Sequence, residues 1–440
     1  MKKTITLALS TSFLLGFAAA AMAGHETMAT DQSKVVAKDG VRVTMDGNLR
    51  YRGRMWNNES GSPTSSHTDG RVQLGTKVET SSKISGYVQL ETGDSSSDVY
   101  IWGNGNSSGL NTGGSKQAAG ATDLSIAQAW INYKFGIFGT KVGHVPLALG
   151  NKTFFDHSPS GDDAIIFYAD PSPDTHVGLL TIKFEEGTTA RNNNDLDGYV
   201  AVLTQKMGDM KLGANLTHLR TNNGFAGLPR MAAYNLGLDF AGKAGPASFN
   251  ADLQYQFGQW TEDSAGTSTD AAGYSLRVEG AMDAGPAKVG VILGYGSGDS
   301  SSADTDQEAF VNFLADVKYE TLIVGYALAV PSMGSGGTST TMDTRLANML
   351  LLQVNAAVKI NDDISTSATI TYMDLNEVAA GWDSDVGIEV DAFLNWKLGN
   401  GLTYGIEAGY LMAGDAYKKG VATADVNDAY YLRHTLNLSF

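Results

Sequence analysis

The feature that most constrains this chain is a two-residue alternation carried over unusually long segments. From Val41 it reads VRVTMDGNLRYRGRM. The odd positions, from Val41 through Leu49 and Tyr51 to Met55, are apolar or Gly. The even positions are Arg42, Thr44, Asp46, Asn48, Arg50, Arg52 and Arg54. Successive side chains of a strand point to opposite faces, so this is one long strand with a greasy face and a wet face. The pattern returns at 249–257, 385–398 and 402–412.

The connections sort by length. Short turns fall near Ser81-Ser82, 136–138, 171–174, Gly208-Asp209, 242–246, 284–286, 361–363 and Gly399-Asn400. Between them lie long Gly/Ser/Asn/Asp-rich segments: 57–69, 94–121, 147–162, 186–196, 222–230, 261–271, 297–345, 377–384 and 415–427. Eight short turns and nine long loops join about 18 strands, with every short turn at one end. A soluble sandwich has no reason to sort its loops this way. An outer-membrane barrel does, with short periplasmic turns, long extracellular loops and an even strand number. Closure also removes the sheet edges that lipid does not tolerate. The fold class is therefore all-β: a single transmembrane antiparallel β-barrel over 41–440. Residues 310–330 read as structure inside the longest loop. If they span, the count becomes 20; if the weak segments 164–170 and 197–207 fail, it becomes 16.

Composition agrees. The chain has 52 Gly, only 18% charged residues and no Cys. Its polarity thus comes from Ser, Thr, Asn and Gly, a turn-and-strand mixture, and the missing Cys excludes a disulfide scaffold, Cys-ligated zinc and covalent haem. No run of 18 apolar residues suits a membrane-spanning helix. Residues 1–23, MKKTITLALSTSFLLGFAAAAMA, read as a signal peptide: Lys2 and Lys3, an apolar stretch, then Ala21-Met22-Ala23 for cleavage. Its removal takes away two lysines and no acid, moving the net charge from −16 to −18. That acidity opposes nucleic-acid binding. Residues 24–40 lack the barrel pattern and read as a periplasmic tail or short plug.

The last strand is YYLRHTLNLSF. Tyr430, Leu432, Leu436, Leu438 and Phe440 share a face, and His434 departs from it. This end resembles the signal that the barrel-assembly machinery reads in Gram-negative outer-membrane proteins, with Phe440 as its terminal aromatic. The stretch from Leu346 to Phe440 resembles the closing strands of porins, including the alginate-export-type barrels. The resemblance implies a water-filled diffusion channel for small hydrophilic solutes and ions, often a homotrimer, set among outer-membrane lipid and lipopolysaccharide.

With the apolar faces toward lipid, the polar faces line the pore. Arg50, Arg52 and Arg54 then form a basic ladder that Arg71, Lys77 and, through barrel closure, Arg433 extend. Asp385, Glu389, Asp391 and Glu407 supply acids from the C-terminal strands. By resemblance to general porins, which fold one loop inward opposite a basic ladder, loop 147–162 is the candidate constriction, with Asp156, Asp162 and Asp163. Charged rings of this kind set ion selectivity, and the mixed wall points to weak cation preference. Trp396, Tyr404, Tyr410, Tyr430 and Phe440 suit an interfacial aromatic girdle.

Other signals carry less. Gly105 to Gly109 matches G-x-S-x-G, but a nucleophile elbow needs a strand before it and a helix after it. Asp299, Asp304, Asp306 and Glu308 lack EF-hand spacing and read as a solvated acidic loop. His144 and His157 flank the candidate constriction without metal-pair spacing. No catalytic residue, metal site or cofactor is expected. The competing readings are a plugged structural or conduit barrel and a barrel-embedded hydrolase.

Overall fold

The computed structural model describes residues 34–38, 40–57, 64–92, 100–101, 124–158, 161–186, 195–221, 231–262, 268–300, 305–312, 321–324, 346–421 and 423–440. Eighteen long strands make the wall. They are β1 (Val41–Trp56), β2 (Ser65–Glu79), β3 (Ile84–Thr92), β4 (Leu124–Phe135), β5 (Phe138–Val145), β6 (Asp162–Ser172), β7 (Thr175–Glu185), β8 (Leu196–Met207) and β9 (Met210–Thr221), followed by β10 (Met231–Ala244), β11 (Ala247–Glu262), β12 (Tyr274–Ala284), β13 (Ala287–Gly296), β14 (Met349–Lys359), β15 (Ile364–Leu375), β16 (Asp385–Gly399), β17 (Leu402–Ala413) and β18 (Ala429–Ser439). Each pairs antiparallel with the next, and β18 closes on β1, from Asn48↔Ser439 to Trp56↔Tyr431. The segments 164–170 and 197–207 both lie in spanning strands.

The turn chemistry explains the tight end. Gly245 and Gly285 open two-residue turns at φ 60° and 65°, each followed by Pro. A type II′ hairpin turn requires positive φ at its first central residue, which Gly adopts without strain. At the other end, short strands Tyr100–Ile101, Ser268–Ala271 and Asp306–Gln307 extend the wall. Lys34–Lys38 folds back on β1, pairing Lys34 with Met45, so the end of the N-terminal tail is itself a strand. Residues 1–33, including the expected signal peptide, lie outside the described residues.

Alternation sorts the side chains. Ile165, Phe167, Leu179, Leu203, Val354, Ile370 and Val390 are exposed on the outer surface. Their strand neighbours are buried toward the lumen, as in the pattern BeBe at the start of β6. Trp396, Tyr410 and Phe440 stand on the outer face as well. His434 belongs there too: its ring lies over Gly53, where a Cβ would meet Nε2 at 2.3 Å. It fills the gap left by a missing side chain, which is why a His interrupts the apolar row.

The lumen holds two apolar clusters. One packs Leu149, Phe154 and Phe155 of the 146–161 loop against Leu180, Ile182 and Val200. The other packs Leu322, Ile323 and Val324 against Met349, Met373, Val386 and Leu411. Apolar residues inside a water-facing wall mark where the chain folds inward.

Candidate permeation pathway

Closure brings the basic strands together. Arg50 faces Arg71 on β2 and Asn437 on β18, and Arg54 faces Arg433. Like charges directly opposite one another are destabilising without counter-charge. Asp69 supplies it, fully buried between Arg52 Nε and Arg54 Nη2, each at 2.8 Å, with His67 at 3.5 Å. Glu407 pairs with Arg433. Sequence reasoning missed Asp69; its one signal is parity, two residues before Arg71 on the same face. Below the ladder Lys77 pairs with Glu79 at 3.1 Å. Five arginines thus gather at the closure seam, with Asp69 and Glu407 among their counter-charges.

The acids of the C-terminal strands take other places. A bulge shifts the β15–β16 register so that Asp374 faces Asp385 while Met373 faces Gly387. Val386, the extra residue, turns inward and is buried. Asp385 accordingly takes the outward parity of Asp374 and Tyr372 instead of the lumenal face. Gly387, at φ 119°, lets the backbone make this step. Glu389 and Asp391 do face inward, but the chain covers them. Glu389 accepts the backbone N–H groups of Ile323 at 2.6 Å and Val324 at 2.9 Å, and Asp391 accepts the Thr369 hydroxyl at 3.2 Å.

The 146–161 loop folds into the lumen. Leu149 donates its N–H to Phe155 O at 3.0 Å and His157 to Leu147 O at 2.8 Å, making a small hairpin. Its tip crosses to β11, where Asn151 N–H reaches Asp252 Oδ2 at 3.1 Å and Asn151 Nδ2 reaches Asn250 Oδ1 at 2.5 Å. In an eighteen-strand ring β11 stands ten strands from β1, nearly opposite the ladder. The loop's acids are engaged locally. Asp156 accepts from Lys152 at 3.0 Å, and Asp162 pairs with His157 at 2.7 Å. Asp163 pairs with His144 at 2.9 Å, on the outward parity of Ile165 and Phe167.

The longest loop joins this structure. Val311 and Gln256 exchange hydrogen bonds of 2.9 and 2.7 Å, and Asn312 Nδ2 donates to Thr153 O. Residues 310–312 and 321–324 thus lie inside the barrel; the remainder of 310–330 lies outside the described residues. Ser300 donates its hydroxyl and N–H to Glu308, and these bonds hold that carboxyl below its ordinary pKa. Residues 105–109 also lie outside the described residues.

A sequence model of the family described as alginate export matches residues 191–429, more than half of the chain. The chain belongs to the alginate export family. Among solved structures, OpdL of Pseudomonas aeruginosa superposes with a TM-score of 0.58 at 10% identity, covering 90% of this chain and 98% of its own. OccAB1 of Acinetobacter baumannii gives 0.57 at 11% identity, covering 94% and 100%. OccK11 (OpdR) of Pseudomonas aeruginosa gives 0.55 at 12%, covering 90% and 96%. At such identities the likeness is one of fold: this alginate export family member is a closed, porin-type barrel. A search of curated proteins found no sequence match.

Proposed function

We propose that this member of the alginate export family is an outer-membrane channel that passes small acidic solutes by diffusion. The observation that carries the reading is the gathering of five arginines on one face of the closure seam. Glu389 lies under residues 321–324 and the acids of the 146–161 loop are paired, so on the seam side of the lumen the arginines set the sign of the field. Field lines focus in a narrow water-filled lumen with low-dielectric walls and raise the local concentration of anions. This favours anions where the mixed wall pointed to weak cation preference. The family description and the vanillate in one related structure, OpdK of Pseudomonas aeruginosa, both name anions. The chain acts as a conduit and not as an enzyme. Export by the 1–23 segment, assembly through Phe440, contact with lipopolysaccharide and a homotrimeric state complete the proposal.

Swelling of liposomes carrying the protein tests it. Swelling should be faster in an isotonic small carboxylate than in a neutral solute of equal size. Equal rates would contradict acid preference, and absence of swelling in both would contradict an open channel.

A further inference from the structure

Two carboxylates stand directly opposite each other beneath the tip of the inward loop. Asp239 on β10 faces Asp252 on β11, and both are buried. Facing like charges repel, and burial strengthens the repulsion. Yet among the described residues neither makes an ion pair within 4 Å. The nearby lysine of the loop, Lys152, turns away to Asp156. Lys211 on β9 shares this face and acts on Asp239 through space without forming an ion pair, and the remaining neighbours are neutral and oxygen-rich. Gln254 Nε2 and the Asn151 N–H donate to Asp252, leaving two formal negative charges in place.

The wall is hollowed at this point. A methyl group on Gly150 would stand 3.1 Å from Asp252 Oδ2, 3.3 Å from Asp239 Oδ1 and 3.6 Å from Asn215 Nδ2, so three side chains converge on one point under the loop. Asn215 and Gln254 flank Gly237 in the neighbouring row of the sheet. A Cβ on Gly237 would meet Asn215 Oδ1 at 2.8 Å and Gln254 Oε1 at 2.7 Å. Asn215 is only 3% exposed, and its Oδ1 has no hydrogen-bond partner. A buried amide oxygen left without a donor costs about 1–3 kcal/mol. A buried carboxylate pair without an ion pair among the described residues and an amide oxygen without a donor have one common remedy.

We propose that Asp239, Asp252 and Asn215 bind a divalent cation, calcium by preference, on the wall beneath the tip of the 146–161 loop. Calcium takes oxygen ligands only, at 2.3–2.6 Å, and tolerates the irregular geometry of carboxylate plus amide donors. Among the described residues no three His, Asp or Glu side chains cluster at a metal-sized point. This site has two acids, and the Asn215 amide, whose nitrogen faces the point under Gly150 and whose oxygen lies toward Gly237, completes the set by turning its oxygen to the ion. The positive φ of Gly150 and Lys152, 54° and 72°, bends the loop tip down over it.

The test is calorimetric titration of the full chain, refolded in detergent and stripped with a chelator, with calcium chloride in about 8 Å-Debye-length salt to suppress surface binding. The expected result is one saturable ion per chain with a dissociation constant on the order of 10⁻⁴–10⁻³ M. Asp239→Asn and Asp252→Asn should each weaken it at least about tenfold, the scale of one lost ligand charge at 1.4 kcal/mol per decade. Asp163→Asn, whose carboxylate is on the outer face, should leave it unchanged. Heat-modifiable mobility reports whether each variant is folded. Absence of saturable binding in the wild type overturns the proposal, as does binding that survives both Asp239→Asn and Asp252→Asn. The titration needs no conductance, so it stands or falls apart from the channel reading.

Discussion

Asp69 shows how much one lumenal side chain does here. It is buried against Arg52 and Arg54, and without it two guanidinium groups face each other across β1 and β2 with no partner. Removing one member of a buried ion pair costs about 3–5 kcal/mol, because the charge left behind stays desolvated. Asp69→Asn should lower stability by that order in urea-driven unfolding from lipid vesicles; a change under about 0.5 kcal/mol would mean that water reaches the ladder. Parity alone placed Arg50, Arg52, Arg54 and Arg71 on the wet face. It did not reveal which acid answers them, because the pairing depends on register between β1 and β2. His434 is the same lesson on the outer face. It looks like a flaw in the apolar row until Gly53 is seen beneath it.

The strand is the next scale. Eight short turns, nine long loops and the 18-strand count were legible because tight hairpins demand Gly, Asn and Pro in fixed places. The bulge at Val386 was not: one inserted residue reverses every face before it, and Val-Gly-Ile reads like ordinary alternation. Asp385 left the pore wall for that reason. Two substitutions on β16 test the resulting register. Val390→Arg puts a charge on the lipid face near mid-strand and should cost about 2–4 kcal/mol. Asn395→Arg, of lumenal parity and exposed, should be tolerated. Equal costs in vesicle refolding would contradict the face assignment. Loop destinations were also illegible, since periodicity says nothing about where an irregular segment docks. Glu389 now explains one: hydrogen bonds to a charged acceptor contribute about 1.5–3 kcal/mol each, and two hold residues 321–324. Glu389→Leu should therefore release this segment and increase open-channel current noise in single-channel records; unaltered noise would mean that apolar packing alone retains it.

At the scale of the molecule, closure between β1 and β18 joins the ends of the chain. Gly47 and Phe440 exchange backbone bonds of 2.9 and 3.0 Å, and the Phe440 ring covers the bare Gly47. All wall strands then have neighbours on both sides, as a membrane interior requires. The same closure makes the pathway, because it brings Arg433 beside Arg54, far away in sequence. The 146–161 loop narrows the lumen from the opposite side, docked on β11, while residues 321–324 pack on β16 beside the seam and cover Glu389. The central claim is thus that the lumen is positive at its constriction although the chain is acidic overall. Reversal potential across a potassium chloride gradient in a planar bilayer measures this most directly. The wild type should favour chloride, and joint replacement of Arg50, Arg52 and Arg54 by Gln should move the potential toward potassium. A wild type that favours potassium, or a triple variant with an unmoved potential, would contradict it.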